Sequence, residues 1–261
     1  MNRKEIMKKI FTIFTLLACG GTLMAQKPAP MPKFEDAVSF YISFDDETPD
    51  ADITVGKEKP TLILGKKTCI FGQGIRGKAL LCGQNGSKLR FSRKDNLDFS
   101  KPGTIVFFYK GAFKSLNSGP RVFFWGIESN RGYVGQQLAN DPKTVCPCKR
   151  NLNTMFLYGK RIKNKTLFTK LSGGEAGCEK WHMVSFSWAP GQISIKYDNE
   201  PEKSYQVPFD LTEEDFPADH FSIGSNIHWE YYLDEFMVYG RRLSDSELTE
   251  IYEHYLGKKK N

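Results

Sequence analysis

The sequence predicts an all-β domain: a two-sheet antiparallel sandwich closed by one short C-terminal helix. Three observations carry this. Short runs of aromatic and β-branched residues recur along the chain. They run from Val38–Phe44 (VSFYISF) through Ile105–Lys110 (IVFFYK), Arg121–Ile127 (RVFFWGI) and Trp181–Trp188 (WHMVSFSW) to Tyr231–Tyr239 (YYLDEFMVY). Such runs, separated by turn residues, suit pleated, half-buried surfaces. Helical spacing is clearest in the last stretch, at Leu248, Ile251, Tyr252, Tyr255 and Leu256. The 261 residues, 40% hydrophobic and 13% aromatic, are enough to fill the core of one large sandwich.

The final block is the most sharply written. Tyr231–Tyr239 contains no Gly or Pro. With a period of two, Tyr232, Asp234, Phe236 and Val238 share one face, and the adjacent Asp234 and Glu235 point to opposite faces. Ser244 and Glu247 form a capping box, and Leu243 and Leu248 a hydrophobic staple. Gly257 and Lys258–Lys260 suit the helix C-terminus.

The N-terminus reads as an export signal over residues 1–25. Arg3, Lys4, Lys8 and Lys9 precede an apolar run from Ile10 to Ala18, then small residues up to Ala25. Leu16-Leu17-Ala18-Cys19 is the alternative, a lipobox with a lipid anchor at Cys19, the one membrane attachment the sequence offers. A Pro-rich linker, residues 26–36, then leads to a domain over 37–257. Without the first 25 residues the formal charge falls from +7 to about +4. That mild excess gives no reason to expect nucleic acid as a partner.

The remaining strands follow in order. Gly72–Gly86 holds two strands about a Gly74–Gly77 turn, and Ser87–Phe91 is short. Asn130–Asn153 is polar, contains Gly132, Gly135, Pro142 and Pro147, and is expected to be a long loop. Met155–Tyr158 and Thr166–Leu171 suggest a strand pair. Gln192–Tyr197 follows Trp181–Trp188 across a Pro-Gly turn, and Phe221–Ser225 precedes the final strand. The five cysteines past the signal, Cys69, Cys82, Cys146, Cys148 and Cys178, are an odd number in a chain read as exported. Cys69 with Cys82, and Cys178 with Cys146 or Cys148, are the expected disulfides. A zinc site at Cys146-Pro-Cys148 lacks a second closely spaced ligand pair.

Several motifs carry a family resemblance. They are Ser43-Phe44-Asp45 followed by Ala51-Asp52 and Gly56; Gly74-Ile75-Arg76-Gly77-Lys78-Ala79-Leu80; Pro102-Gly103-Thr104; Trp181-His182; and Asp234-Glu235 through Tyr239 to Leu243-Ser244. Over about residues 38–256 they resemble LamG-like domains of the concanavalin A-like lectin/glucanase superfamily. Where that family has Asp-Gly at a hairpin, this chain has Asp198-Asn199. The resemblance implies a jelly-roll sandwich. It implies a secreted or surface-attached module that binds a polysaccharide or glycoconjugate, or serves adhesion. It also implies a structural Ca²⁺ held by Asp234 with Asp46 or Asp52 and backbone carbonyls. The competing reading is that Asp234 accepts backbone N–H bonds.

Catalytic signals are missing. Retaining glycosidases place two carboxylates about 5–5.5 Å apart, and no strand has acids at alternating positions. The histidines, His182, His220, His228 and His254, stand in no catalytic motif. A binding module is therefore expected. A glycan-active enzyme, either glycoside hydrolase or polysaccharide lyase, and a structural protein-interaction domain are the alternatives. For sugar contact the candidates are Trp125, Arg131, Tyr133 and Trp229, near polar loops. Trp181 and Trp188 are read as core.

Overall fold

A computed structural model describes residues 31–66, 68–112, 121–129, 132–140, 150–154, 180–207, 212, 216, 218–227 and 229–257. The signal segment, Cys19, Arg131, Cys146, Cys148, Cys178, His228 and the expected strand pair at 155–171 lie outside them. No helix among the described residues is long and apolar enough to cross a membrane.

The strands are β1 (Val38–Ile42), β2 (Ile53–Thr54), β3 (Leu62–Gly65), β4 (Phe71–Gln73), β5 (Lys78–Cys82), β6 (Ser87–Ser92), β7 (Gly103–Gly111) and β8 (Arg121–Ser129). They continue with β9 (Gly132–Asn140), β10 (Arg150–Thr154), β11 (His182–Ala189), β12 (Gln192–Tyr197), β13 (Lys203–Gln206), β14 (His220–Gly224) and β15 (Tyr231–Tyr239). One helix, α1 (Asp245–Leu256), follows. The first sheet runs β13-β12-β11-β7-β15-β1-β2, with β5 also paired to β15 and β4 to β5. The second runs β10-β9-β8-β14-β6-β3. All pairings are antiparallel, so the two-sheet sandwich with one C-terminal helix is what forms.

The space between the sheets is an aromatic core. Phe40 meets Phe91 and Phe221 edge-on, at 4.9 and 5.3 Å between centroids. Phe107 packs on Phe124 at 5.0 Å. Pairs in these geometries add about 0.5–1.5 kcal/mol beyond burial alone. A second apolar cluster lies on the outer face of the first sheet. There Tyr41, Val106, Phe108, Met183, Met237 and Tyr239 receive Leu248 and Ile251 of α1. The helix start is built as its sequence indicates. Ser244 Oγ accepts the Glu247 N–H at 3.3 Å, and the Glu247 carboxylate accepts the Ser244 N–H at 2.8 Å. Leu243 and Leu248 are both fully buried.

Two expectations are corrected. Residues 132–140 are not loop. They form β9, which pairs with β8 antiparallel, Ser129 opposite Gly132. Its polar Gln136 is buried because it bonds Trp125, so a strand hides inside a polar run. The second correction is the parity of β15. Between Asp234 and Met237 three steps on β15 oppose two on β7, from Phe108 to Val106: a bulge. Glu235 adopts a left-handed φ of 50° there. Hence Tyr231 and Leu233 face the sandwich core, as do Phe236 and Val238 after the bulge. Tyr232 and Asp234 face the helix side. The Asp198-Asn199 hairpin also takes a left-handed residue, with Asp198 at φ 47°.

Candidate functional site

The bulge brings together two carboxylates that strict alternation would separate. Asp234 and Glu235 are both fully buried, and both turn to the outer, helix-covered side of the sheet. Asp234 Oδ2 accepts the Ile75 N–H at 2.8 Å, and Oδ1 accepts the Glu235 N–H at 2.9 Å. Glu235 Oε2 accepts the hydroxyls of Tyr41 at 2.7 Å and Tyr255 at 2.8 Å. The Arg76 guanidinium lies 4.2 Å over the Tyr255 ring and donates to the His254 carbonyl at 3.1 Å. Burial pushes the Glu235 carboxyl up to about 7, against the pull of its tyrosine bonds and of Arg76. Burial, and then the neighbouring Glu235, push Asp234 well above the usual carboxylate range. This pair ties strand, turn and helix together under a lid of side chains. It does not line an open groove.

Two of the acids expected to hold calcium, Asp234 and Asp52, accept backbone N–H bonds. Asp234 gives each oxygen to a backbone N–H. Asp52 Oδ2 accepts the Ser43 N–H at 2.6 Å, and Asp46 is exposed on the turn. Asp45, not Asp46, sits against the Gly74–Gly77 turn, where its Oδ1 accepts the Lys78 N–H at 3.0 Å. Among the described residues, no group of three or more His, Cys, Asp or Glu side chains is arranged to hold a metal.

Trp125 is corrected from ligand contact to core. It is 1% exposed, donates its indole N–H to Gln136 Oε1 at 2.7 Å, and packs on Phe186. A bulge between Phe123 and Trp125 explains it, since Phe124 and Trp125 both turn inward. The Cys69–Cys82 disulfide is likewise corrected: both are free thiols. Cys82 points into the core against Gly224, with Sγ 3.8 Å from the Leu80 carbonyl oxygen, while Cys69 lies half-buried before β4. His182 is a buried structural residue. Its Nδ1 lies 2.7 Å from Asp198 Oδ2 and its ring stacks on Tyr197.

Trp229 stands differently. It is half-buried in the turn between β14 and β15, packed on the edge of the core. This turn is fastened to the one between β5 and β6. The Gly83 N–H donates to the Ser225 carbonyl at 2.6 Å, and Asn85 Nδ2 bonds Glu230 Oε1. Gly83, at φ 95°, is needed here, because a Cβ would strike the Trp229 carbonyl. The two turns present Gln84, Asn85 and Ile227 to solvent beside Trp229. An aromatic edge flanked by amides is chemistry suited to sugar rings and hydroxyls. Sequence reasoning named Trp229 as a candidate and did not name Gln84, Asn85 or Glu230, which the structure places in the two fastened turns. The available signal was the Gly83…Gly86 turn directly after a strand. Tyr133 sits in the β8–β9 ladder opposite Glu128, its side chain outside the described residues.

Comparison with known proteins shows the fold. No family model and no curated protein matches the chain. Solved structures do. Domain 4 of AbnA, a GH43 extracellular arabinanase from Geobacillus stearothermophilus in complex with arabinotriose, is similar at TM-score 0.53 and 17% identity. That match covers 82% of this chain and 98% of that one. The binding domain of botulinum neurotoxin DC in complex with SialylT matches at TM-score 0.59 and 11% identity, over 84% of this chain and 52% of that one. A botulinum neurotoxin type C structure, described with cell entry dependent on two ganglioside molecules, matches at TM-score 0.61 and 11% identity, over 84% and 51%. The chain thus spans about half the length of the toxin binding domains. What these similarities define is a class of fold: an antiparallel two-sheet sandwich.

Proposed function

We propose that this chain is a carbohydrate-binding module of LamG-like type, exported and without catalysis of its own. The observation that carries the reading is the pair of fastened turns holding Trp229 half-open beside Gln84, Asn85 and Glu230. The fold neighbours, described in complex with arabinotriose or with SialylT, support the same ligand class. Glu235 and Asp234, the closest approach to a catalytic acid pair among the described residues, are fully buried; Tyr41, Tyr255, Ile75 and the Glu235 N–H bond three of their four oxygens, and among those residues Glu235 Oε1 has no hydrogen-bond partner. Binding at this end would use stacking on the indole and hydrogen bonds from the amides. Arg131 and Tyr133, the other two sequence candidates, belong to the same proposal. A glycan array run beside a reducing-sugar release assay tests it. Binding without turnover is expected, and Trp229→Ala should weaken it. Release of reducing sugar or unsaturated product would replace the module with an enzyme. Silence in both assays would favour a protein-interaction domain.

A further inference from the structure

A second aromatic surface lies on the outer face of the first sheet, the face whose apolar cluster also receives α1. In register across β11, β7 and β15, Tyr232 pairs with Lys110, and Trp181 immediately precedes His182, which pairs with Tyr109. Trp181, Lys110 and Tyr232 therefore form one row, on the same face as Met183 and Phe108. The row continues through Leu81, opposite Tyr232, to Ile70, whose carbonyl accepts the Leu81 N–H at 2.8 Å. Five adjacent strands at about 4.8 Å spacing make a shelf roughly 19 Å long.

Its details suit a ligand better than a bare apolar face would. The Lys110 ammonium lies 5.2 Å from the Trp181 ring centroid and 5.7 Å from that of Tyr232, a cation held between two rings. Among the described residues no carboxylate lies within ion-pair distance of it. Lys180, exposed, adds a further positive charge beside Trp181. Gly72 lets the Tyr232 ring lie down on the sheet, since a Cβ there would enter the ring. Trp181, Lys110 and Tyr232 are each half-buried, and Ile70 is 42% exposed. A flat ring offers its face to sugar C–H groups. A cation between two such faces selects a sugar that carries an anion.

We infer that the Trp181–Lys110–Tyr232 row is a second glycan site, and that its ligand is an acidic oligosaccharide bearing carboxylated sugars. The inference rests on the carbohydrate-binding reading above but uses different residues. The test is an array holding neutral, uronic-acid and sialic-acid glycans, followed by calorimetry on its best carboxylated ligand. The proteins are the wild type, Trp181→Ala, Tyr232→Ala, Lys110→Met, Lys110→Arg and Trp229→Ala, each checked for folding by circular dichroism. We expect carboxylated glycans to bind. Affinity should fall about tenfold or more in Trp181→Ala, Tyr232→Ala and Lys110→Met, and be retained in Lys110→Arg. Wild-type binding unchanged in all of these shelf variants would overturn the shelf while leaving the general function standing. Equal binding of neutral and carboxylated glycans, indifferent to Lys110→Met, would overturn the ligand class. A wild type that binds no glycan would overturn both readings.

Discussion

Glu235 makes the stability of this protein depend on pH in an unusual direction. A glutamate in an unfolded chain titrates at about 4.3. Here burial holds the folded carboxyl up to about 7. Below the unfolded value both states are protonated and the group contributes nothing. Between the two values the unfolded chain ionises while the folded protein keeps its proton. The folded state then binds more protons, and stability falls as pH rises. The loss is complete above about 7. At about 1.36 kcal/mol per pH unit the separation corresponds to roughly 4 kcal/mol. Asp234, also raised, acts in the same direction. Glu235→Gln removes the ionisation while keeping a carbonyl oxygen for the Tyr41 and Tyr255 hydroxyls. Urea unfolding followed by tryptophan fluorescence should therefore show the wild type losing a few kcal/mol between pH 5 and pH 8. The variant should lose measurably less and be relatively stabilised at pH 8. Parallel pH profiles for the two proteins would refute the argument.

Ser244→Ala removes the side-chain cap of α1 and should cost about 1 kcal/mol, seen as a melting point lower by roughly 2–4 °C. Melts in EDTA and in millimolar CaCl₂ should coincide, because backbone N–H groups already occupy both oxygens of Asp234. A clear rise with calcium would restore the ion to Asp234 and its neighbours. Thiol labelling of the native protein, read by peptide mapping, should modify half-buried Cys69. It should spare Cys82 until unfolding, since burial excludes reagent and pushes that thiol up to about 12. A Cys69–Cys82 bridge in the peptide map would contradict the free thiols.

Much of the architecture was legible from residue types. Aromatic and β-branched runs marked the long strands, because they fill a pleated, half-buried surface. The Ser244…Glu247 box marked the helix start to the residue, because capping is a local reaction between neighbours in sequence. What sequence alone could not supply was which layer each face meets. Period-two reasoning assumes an unbroken ladder. The left-handed Glu235 adds one residue to β15, so Asp234 and Glu235 end on the same side and Phe236 takes the core position. The bulge near Trp125 likewise turned a candidate sugar platform inward, onto a glutamine hidden in a polar run. Trp181, read as core, packs half-buried against the helix-side cluster, in register with Lys110 and Tyr232. Composition and local pattern determine that strands and a capped helix form. Only the pairing of distant strands decides their parity, because a bulge exists only relative to the partner it is counted against.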